Sequence, residues 1–286
     1  MNRASNFGNL SGEYSNPENA AVVIVPVPYD RTSTWGKGAD KGPAAIIDAS
    51  ANMELYDIEI DSEVYRLGIF TDEPVKEQSS PEKMAEAVAG RVAKHISYGK
   101  FTVLLGGEHS VSIGAAKAHA EKYHNLTVLQ LDAHADLRDE YDGSKYNHAC
   151  VMARIKRFCP VVQVGIRSMD ASEKKSIEKE NTFFAKDIHN NTGWIAKVIS
   201  RLTENVYITI DLDVFDPSIM PSTGTPEPGG LLWYDVLHLL KTLCKKKNLV
   251  GFDVVELCPN QNNKAPDFLA ARLIYKLLSY KFRNAK

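Results

Sequence analysis

Four places in the 286-residue sequence end an apolar, β-branched run in side chains that resist burial. Glu108 and His109 follow FTVLLGG, Asp132, His134 and Asp136 follow LTVLQL, Asp211 and Asp213 follow VYITI, and Glu256 follows GFDVV. Carboxylates and imidazoles are the donors that hard or borderline divalent cations take. Any one of these residues has a plainer use, since a lone Asp at a strand end caps the next helix and a lone buried His bonds a backbone carbonyl. Together on one rim they would repel each other and lose hydration unless bound cations neutralised them, because an unpaired buried charge costs several kcal/mol.

Spacing sharpens this. Asp132, His134 and Asp136 alternate as on one face of a strand, yet a flat strand at ~3.3 Å per residue spreads them over about 13 Å. Metal–ligand bonds near 2 Å therefore predict a backbone that curls after Asp132, or two cations about 3.5–4 Å apart sharing the ligands. No cysteine lies in the cluster and oxygen donors outnumber nitrogen, so Mn(II) is expected over zinc. The carboxylates of Asp132, Asp136, Asp211 and Asp213 balance two dications, under whose pull a bridging water would ionise to a hydroxide nucleophile.

Such residues need a scaffold that collects strand ends. Eight short runs read as strands, beginning near 21, 64, 101, 126, 161, 181, 206 and 249, with helical stretches between them from 42, 80, 110, 193, 233 and 266. This alternation predicts an α/β fold with a mainly parallel sheet covered by helices. The pattern leaves an open sheet and a closed barrel as alternatives, and both gather ligands at the strands' C-terminal ends. Residues 1–20 and the DEPVKEQSS segment from 72 are expected to be flexible, and the long Pro/Gly-rich loop 215–230 to be functional.

Residues 1–286 are read as one domain. A net charge of -2 offers no attraction to nucleic acid or an anionic membrane. No run approaches the ~20 apolar residues of a membrane span, and the first twenty residues lack the apolar core of a secretory signal. The scattered cysteines Cys150, Cys159, Cys244 and Cys258 form no disulfide or zinc pattern, so a cytoplasmic protein is expected.

The segments GGEHSVSIG, LDAHADLRDEYDGSKYNHACV, ITIDLDVFDPSIMPSTGTPEPGGL and GFDVVELCP, with PVPYDRTSTWGKGADKGPAAIIDAS upstream, resemble the signatures of the ureohydrolases, the arginase and agmatinase family. The resemblance spans most of the chain. It implies a three-layer α/β/α fold around an eight-stranded parallel sheet, a binuclear manganese centre, a homo-oligomer (trimer or hexamer), and hydrolysis of a guanidino group to urea and an amine. By matching positions, one manganese would be held by His109, Asp132, Asp136 and Asp211, and the other by His134, Asp132, Asp211 and Asp213. His148 would match the family's histidine near the leaving amine and Glu256 the glutamate that binds the planar guanidinium fork, and either Asp136 or His148 could supply the proton that the amine needs to leave. Glu108 is expected to hold either a metal-bound histidine or a helix N-terminus, Asp216 to shape a turn, and Cys150 and Cys258 to line the pocket.

The loop 137–147 is net acidic through Asp139, Glu140 and Asp142, and at the mouth of the site it would favour a small cationic substrate. With the resemblance this points to agmatine, cleaved to putrescine and urea in polyamine biosynthesis. Aminopropylagmatine comes next, then guanidinobutyrate or arginine, for whose carboxylate Arg138 is a partner. Formiminoglutamate fits least. From other classes, an inactive metal-binding regulatory module would have lost at least one ligand, and a deacetylase on the same scaffold would need one zinc and no counterpart of His109.

Overall fold

The computed structural model describes residues 6–189 and 191–283. Eight strands make one sheet: β1 (Val22–Val27), β2 (Ile69–Thr71), β3 (Phe101–Gly106), β4 (Leu126–Leu131), β5 (Val161–Ile166), β6 (Thr182–Phe184), β7 (Asn205–Asp211) and β8 (Asn248–Val255). Their order is β2-β1-β3-β8-β7-β4-β5-β6, and every pairing is parallel. The sheet is open.

Alternation along the strands builds a core on each face. Val22 and Ile24 point into one cluster with residues of α1 (Gly42–Ser50), α6 (Trp194–Arg201), α7 (Trp233–Lys246) and α8 (Ala265–Lys281). Val23 and Val25 point into the other, with α2 (Pro81–Ser97), α3 (Ser112–Lys122) and α4 (Val151–Ile155). In α2, Ser80 caps the Lys83 N–H at 3.2 Å and Pro81 opens the first turn. Its buried Met84, Val88, Val92 and Ile96 recur every fourth residue, and each stabilises the fold by about 1.5–3 kcal/mol.

Some boundaries depart from the pattern. The VYRL of VYRLGIF forms a 3-10 turn, Val64–Leu67, after which Gly68 takes φ +77, where an added Cβ would stand 2.7 Å from Ala20 Cα. Strand β2 therefore begins only at Ile69. The run from 181 leaves the sheet after Phe184 for the short α5 (Ala185–Ile188), and α4 had no counterpart in the sequence reading. Of the segment expected to be flexible, residues 1–5 lie outside the described residues. Phe7 is fully buried, its N–H donating to Thr71 Oγ1 at 2.9 Å. The segment from 72 is also tied down: the Asp72 carboxylate accepts from Arg91 at 2.9 Å and meets His95 Nε2 at 2.7 Å. Among the described residues no helix is long and apolar enough to cross a membrane.

Strand order is what matters for chemistry. The four strands that end in acids and histidines, β3, β8, β7 and β4, are consecutive in the sheet, so their C-terminal ends converge.

Candidate metal centre

His109 leaves β3 in a 3-10 turn, His109–Val111, with its ring buried. Its Nδ1 stands 3.1 Å from Asp132 Oδ2, 3.0 Å from Asp136 Oδ2 and 3.5 Å from Asp211 Oδ2. A second histidine faces the other side of the same aspartate: His134 Nδ1 is 3.6 Å from Asp132 Oδ1 and 2.9 Å from Asp213 Oδ2. His109, Asp132 and Asp211 form one group with ligand atoms within 4.8 Å of each other, and Asp132, His134 and Asp213 form another, sharing Asp132. Asp136 stands beside the first.

The backbone curls to achieve this. After Leu131 the His134 N–H turns back onto Asp132 Oδ1 at 2.6 Å and the Ala133 N–H onto Asp213 Oδ1 at 2.9 Å. Asp136 then takes φ +53, a left-handed conformation that Asp tolerates better than most residues.

Does the donor set fit metal ions? His109 Nδ1 is buried with no hydrogen-bond partner, although three carboxylates surround it. Burial and the Asp132 charge push the Asp136 carboxyl up to about 7, and burial with Asp213 pushes Asp211 well above the carboxylate range. Burial alone would lower His134, but Asp213 and Asp132 outweigh it and hold it at about 12. By themselves these groups cannot all be ionised. Two divalent cations between them would let every carboxylate charge and give the orphaned nitrogen a partner.

A relay behind the cluster fixes His109. Its Nε2 lies 2.9 Å from Thr209 Oγ1, which donates to Asp253 Oδ1 at 2.6 Å, while Tyr207 OH donates to Asp253 Oδ2 at 2.8 Å. An Nε2–H bonded to Thr209 leaves Nδ1 with its lone pair toward the aspartates. The carboxylate that orients His109 is thus Asp253. Glu108 takes the other of its two expected places and holds a helix N-terminus: it caps the turn His109–Val111, accepting from the Ser110 N–H and Oγ, both at 2.8 Å. An acid in the middle of the apolar strand GFDVV was the signal for Asp253.

A cavity of about 330 Å³ opens over the cluster, lined by His109, His134, Asp136, Asp211, His148 and Glu256. Asp132 and Asp213, both buried, are not part of the lining. Glu256 holds φ +67, a strained position for a long side chain, and its Oε1 accepts the His109 N–H at 2.7 Å. Burial, reinforced by Glu108, pushes its carboxyl well above the ordinary range. The His148 N–H donates to Thr32 Oγ1 at 2.9 Å. Burial lowers its imidazole to about 4, so it is neutral at pH 7.

The acidic mouth is not where it was expected. Asp139 pairs with Arg154 and, at 3.2 Å, with Arg157, and it is absent from the cavity lining. Buried Arg154 draws it away, because a guanidinium there needs a carboxylate. Besides Asp136, Asp211 and Glu256, the acids that line the cavity are Asp170 and Glu173. Arg138 lines the cavity beside them, 4.3 Å over the Tyr141 ring and 3.8 Å from Glu173. From the loop 215–230, Gly224 and Thr225 line the cavity, and Asp216 shapes the loop by accepting the Ser218, Gly229 and Gly230 N–H groups. Cys150 and Cys258 do not line the cavity; burial raises their thiols to about 11 and about 12.

Comparison with known proteins places this geometry. A family model described as the arginase family matches residues 20–279. An N(1)-aminopropylagmatine ureohydrolase from Synechocystis is 39% identical over 272 residues, which is 91% of this chain and 89% of that protein. One from Thermus thermophilus is 38% identical over 279 residues, 96% and 94% of the two chains. The crystal structure of agmatine ureohydrolase of Thermoplasma volcanium superposes with a TM-score of 0.87 at 32% identity, covering 96% of this chain and 94% of that one.

Proposed function

Because the chain belongs to the arginase family, whose members are hydrolases of guanidino compounds built on a binuclear metal centre, we propose that it cleaves guanidines carrying a cationic amine tail. Agmatine and its aminopropyl extension are the substrates meant, and urea is released from either. The observation that carries this reading is one cavity lined by His109 and Asp211 of one Asp/His group, His134 of the other, and Glu256.

His109, Asp132, Asp136 and Asp211 would hold one cation, and His134, Asp213 and the shared Asp132 and Asp211 the other. Bound there, two dications supply an activated water as nucleophile. Manganese is the proposed element, supported by a donor set rich in carboxylate oxygen and free of sulfur.

The remaining tasks fall to side chains. Glu256 accepts the planar guanidinium fork, and the arriving cation offsets the burial that raises its carboxyl. The amine leaves only once protonated. Asp136, ionised when cations are bound, takes up a proton at its carboxylate, and neutral His148, held by Thr32, accepts that proton at its imidazole and passes it to the amine nitrogen. Asp170 and Glu173 give the cavity wall two acids against Arg138, whose charge Glu173 and Tyr141 already engage. This favours an ammonium over a carboxylate at the tail.

Relatives of 38–39% identity named for N(1)-aminopropylagmatine support the extended substrate alongside agmatine. Four free cysteines support a reducing, cytoplasmic setting, and the family supports a trimer or hexamer. Urea release should be measured on agmatine, N(1)-aminopropylagmatine, arginine and guanidinobutyrate, with manganese and zinc in parallel. The amine-tailed pair should exceed the others in kcat/KM by at least about tenfold. No urea from any of the four would remove the hydrolase reading.

A further inference from the structure

Trp35 is 77% exposed, the least economical place for a large indole, yet it lines the cavity over the metal cluster. It is not exposed through looseness of its loop. The Asp30 carboxylate accepts the Gly38 and Ala39 N–H groups at 2.6 and 3.2 Å and the Ser33 hydroxyl. The Gly36 N–H donates to Gly224 O at 3.2 Å, an approach so close that a Cβ on Gly36 would stand 2.7 Å from that oxygen.

The same contact gives Trp35 its place relative to the chemistry. A Cβ on Gly224 would lie 3.7 Å from Glu256 Oε2, so the path from Glu256 through Gly224 and Gly36 ends at Trp35 after one more residue. Met169, 40% exposed, lines the same cavity. Trp35 and Met169 thus give the lining an aromatic and an apolar surface, while the acids Asp170, exposed next to Met169, and Glu173, buried, are already engaged. The Asp170 side chain accepts the Ser172 N–H at 2.8 Å, and Glu173 accepts the Leu137 and Asp170 N–H groups, each at 2.7 Å.

We propose that Trp35, with Met169, is the specificity-determining rim that takes up the distal aminopropyl arm of an extended substrate. The inference rests on the amine-tailed reading above and deepens it. An agmatine whose guanidinium sits on Glu256 ends at the polar wall. A further three methylenes and a second ammonium emerge at the mouth, where methylenes cover the indole and Met169, and the ammonium lies over the electron-rich ring face. A carboxylate there would bind more tightly but would draw an agmatine out of register; a ring attracts the cation without competing for the guanidinium.

The test uses the metal-loaded full chain and the variants Trp35→Ala and Trp35→Phe, assayed for urea from agmatine and from N(1)-aminopropylagmatine, with solution mass measured alongside. Trp35→Ala should lower the kcat/KM ratio of the extended substrate to agmatine about five- to twentyfold, through KM, and Trp35→Phe should recover most of it. An unchanged ratio overturns the inference, as does an equal fall on both substrates. A drop in assembly mass in Trp35→Ala also overturns it, because the indole would then be covered by a second copy of the chain. No urea from either substrate by the unaltered protein would instead overturn the amine-tailed reading, and this rim with it.

Discussion

His109 Nε2 and Thr209 Oγ1 are 2.9 Å apart across 100 residues of chain, and that bond sets which face of the imidazole can meet a cation. Thr209 in turn donates to Asp253 at 2.6 Å. Thr209→Val keeps the shape and removes the acceptor, freeing the ring to choose its other tautomer. Affinity for Mn(II) should fall about 10- to 100-fold, measured by titration calorimetry on the metal-free chain. Unchanged affinity would show that packing alone orients His109.

Asp213 accepts the Ala133 N–H and faces His134 at 2.9 Å. Asp213→Asn keeps the hydrogen bond and loses the charge, so bound manganese should drop from about two to about one per chain, with kcat down at least about 100-fold. Metal analysis after dialysis checks it; full retention would refute the ligand role.

Glu256 stands outside both groups of mutually close ligand atoms. Glu256→Gln should therefore keep its metal while kcat/KM falls roughly 1000-fold, the scale expected when a charge-assisted fork to the guanidinium is lost. Metal content and steady-state kinetics on one preparation separate the two roles.

Asp139 points to arginines instead of the cavity. Asp139→Ala should leave KM for agmatine within about twofold and lower the melting temperature, because Arg154 loses its carboxylate. A KM rise without a stability change would return Asp139 to the substrate.

Glu59 tests the fold away from the metals. Burial raises its carboxyl, but hydrogen bonds from Lys241, Lys276 and Tyr280 outweigh it and hold it at about 2. A folded value below the unfolded ~4.5 means the folded state favours the ionised form. Its stabilisation is present above about pH 4.5 and is lost as pH falls toward 2. Glu59→Gln should cost about 1 kcal/mol at pH 7, after discount for partial exposure, and much less near pH 2, by denaturant unfolding at both.

Much of this was legible early because it is local. Strand cores are apolar runs, and the residues that end them sit next in sequence, so Asp132, His134 and Asp211 announced themselves. Asp253 was harder to read. An acid inside a strand reads as an interruption until Thr209 and Tyr207 of the neighbouring strand are seen beside it. Asp139 misled because a charged loop does not state which partner it faces, and buried Arg154 lies 15 residues away.

The sequence by itself determined the alternation of strands and helices, the kinds of ligand at the strand ends, and the need for cations to hold them together. Periodicity and charge are properties of neighbouring residues and survive without a fold. Only the tertiary structure decided that β3, β8, β7 and β4 lie side by side, which carboxylate steadies His109, and that Trp35 rather than Asp139 lines the cavity. Those outcomes depend on crossovers and long-range pairings, where a difference of a few ångströms separates a ligand from a bystander.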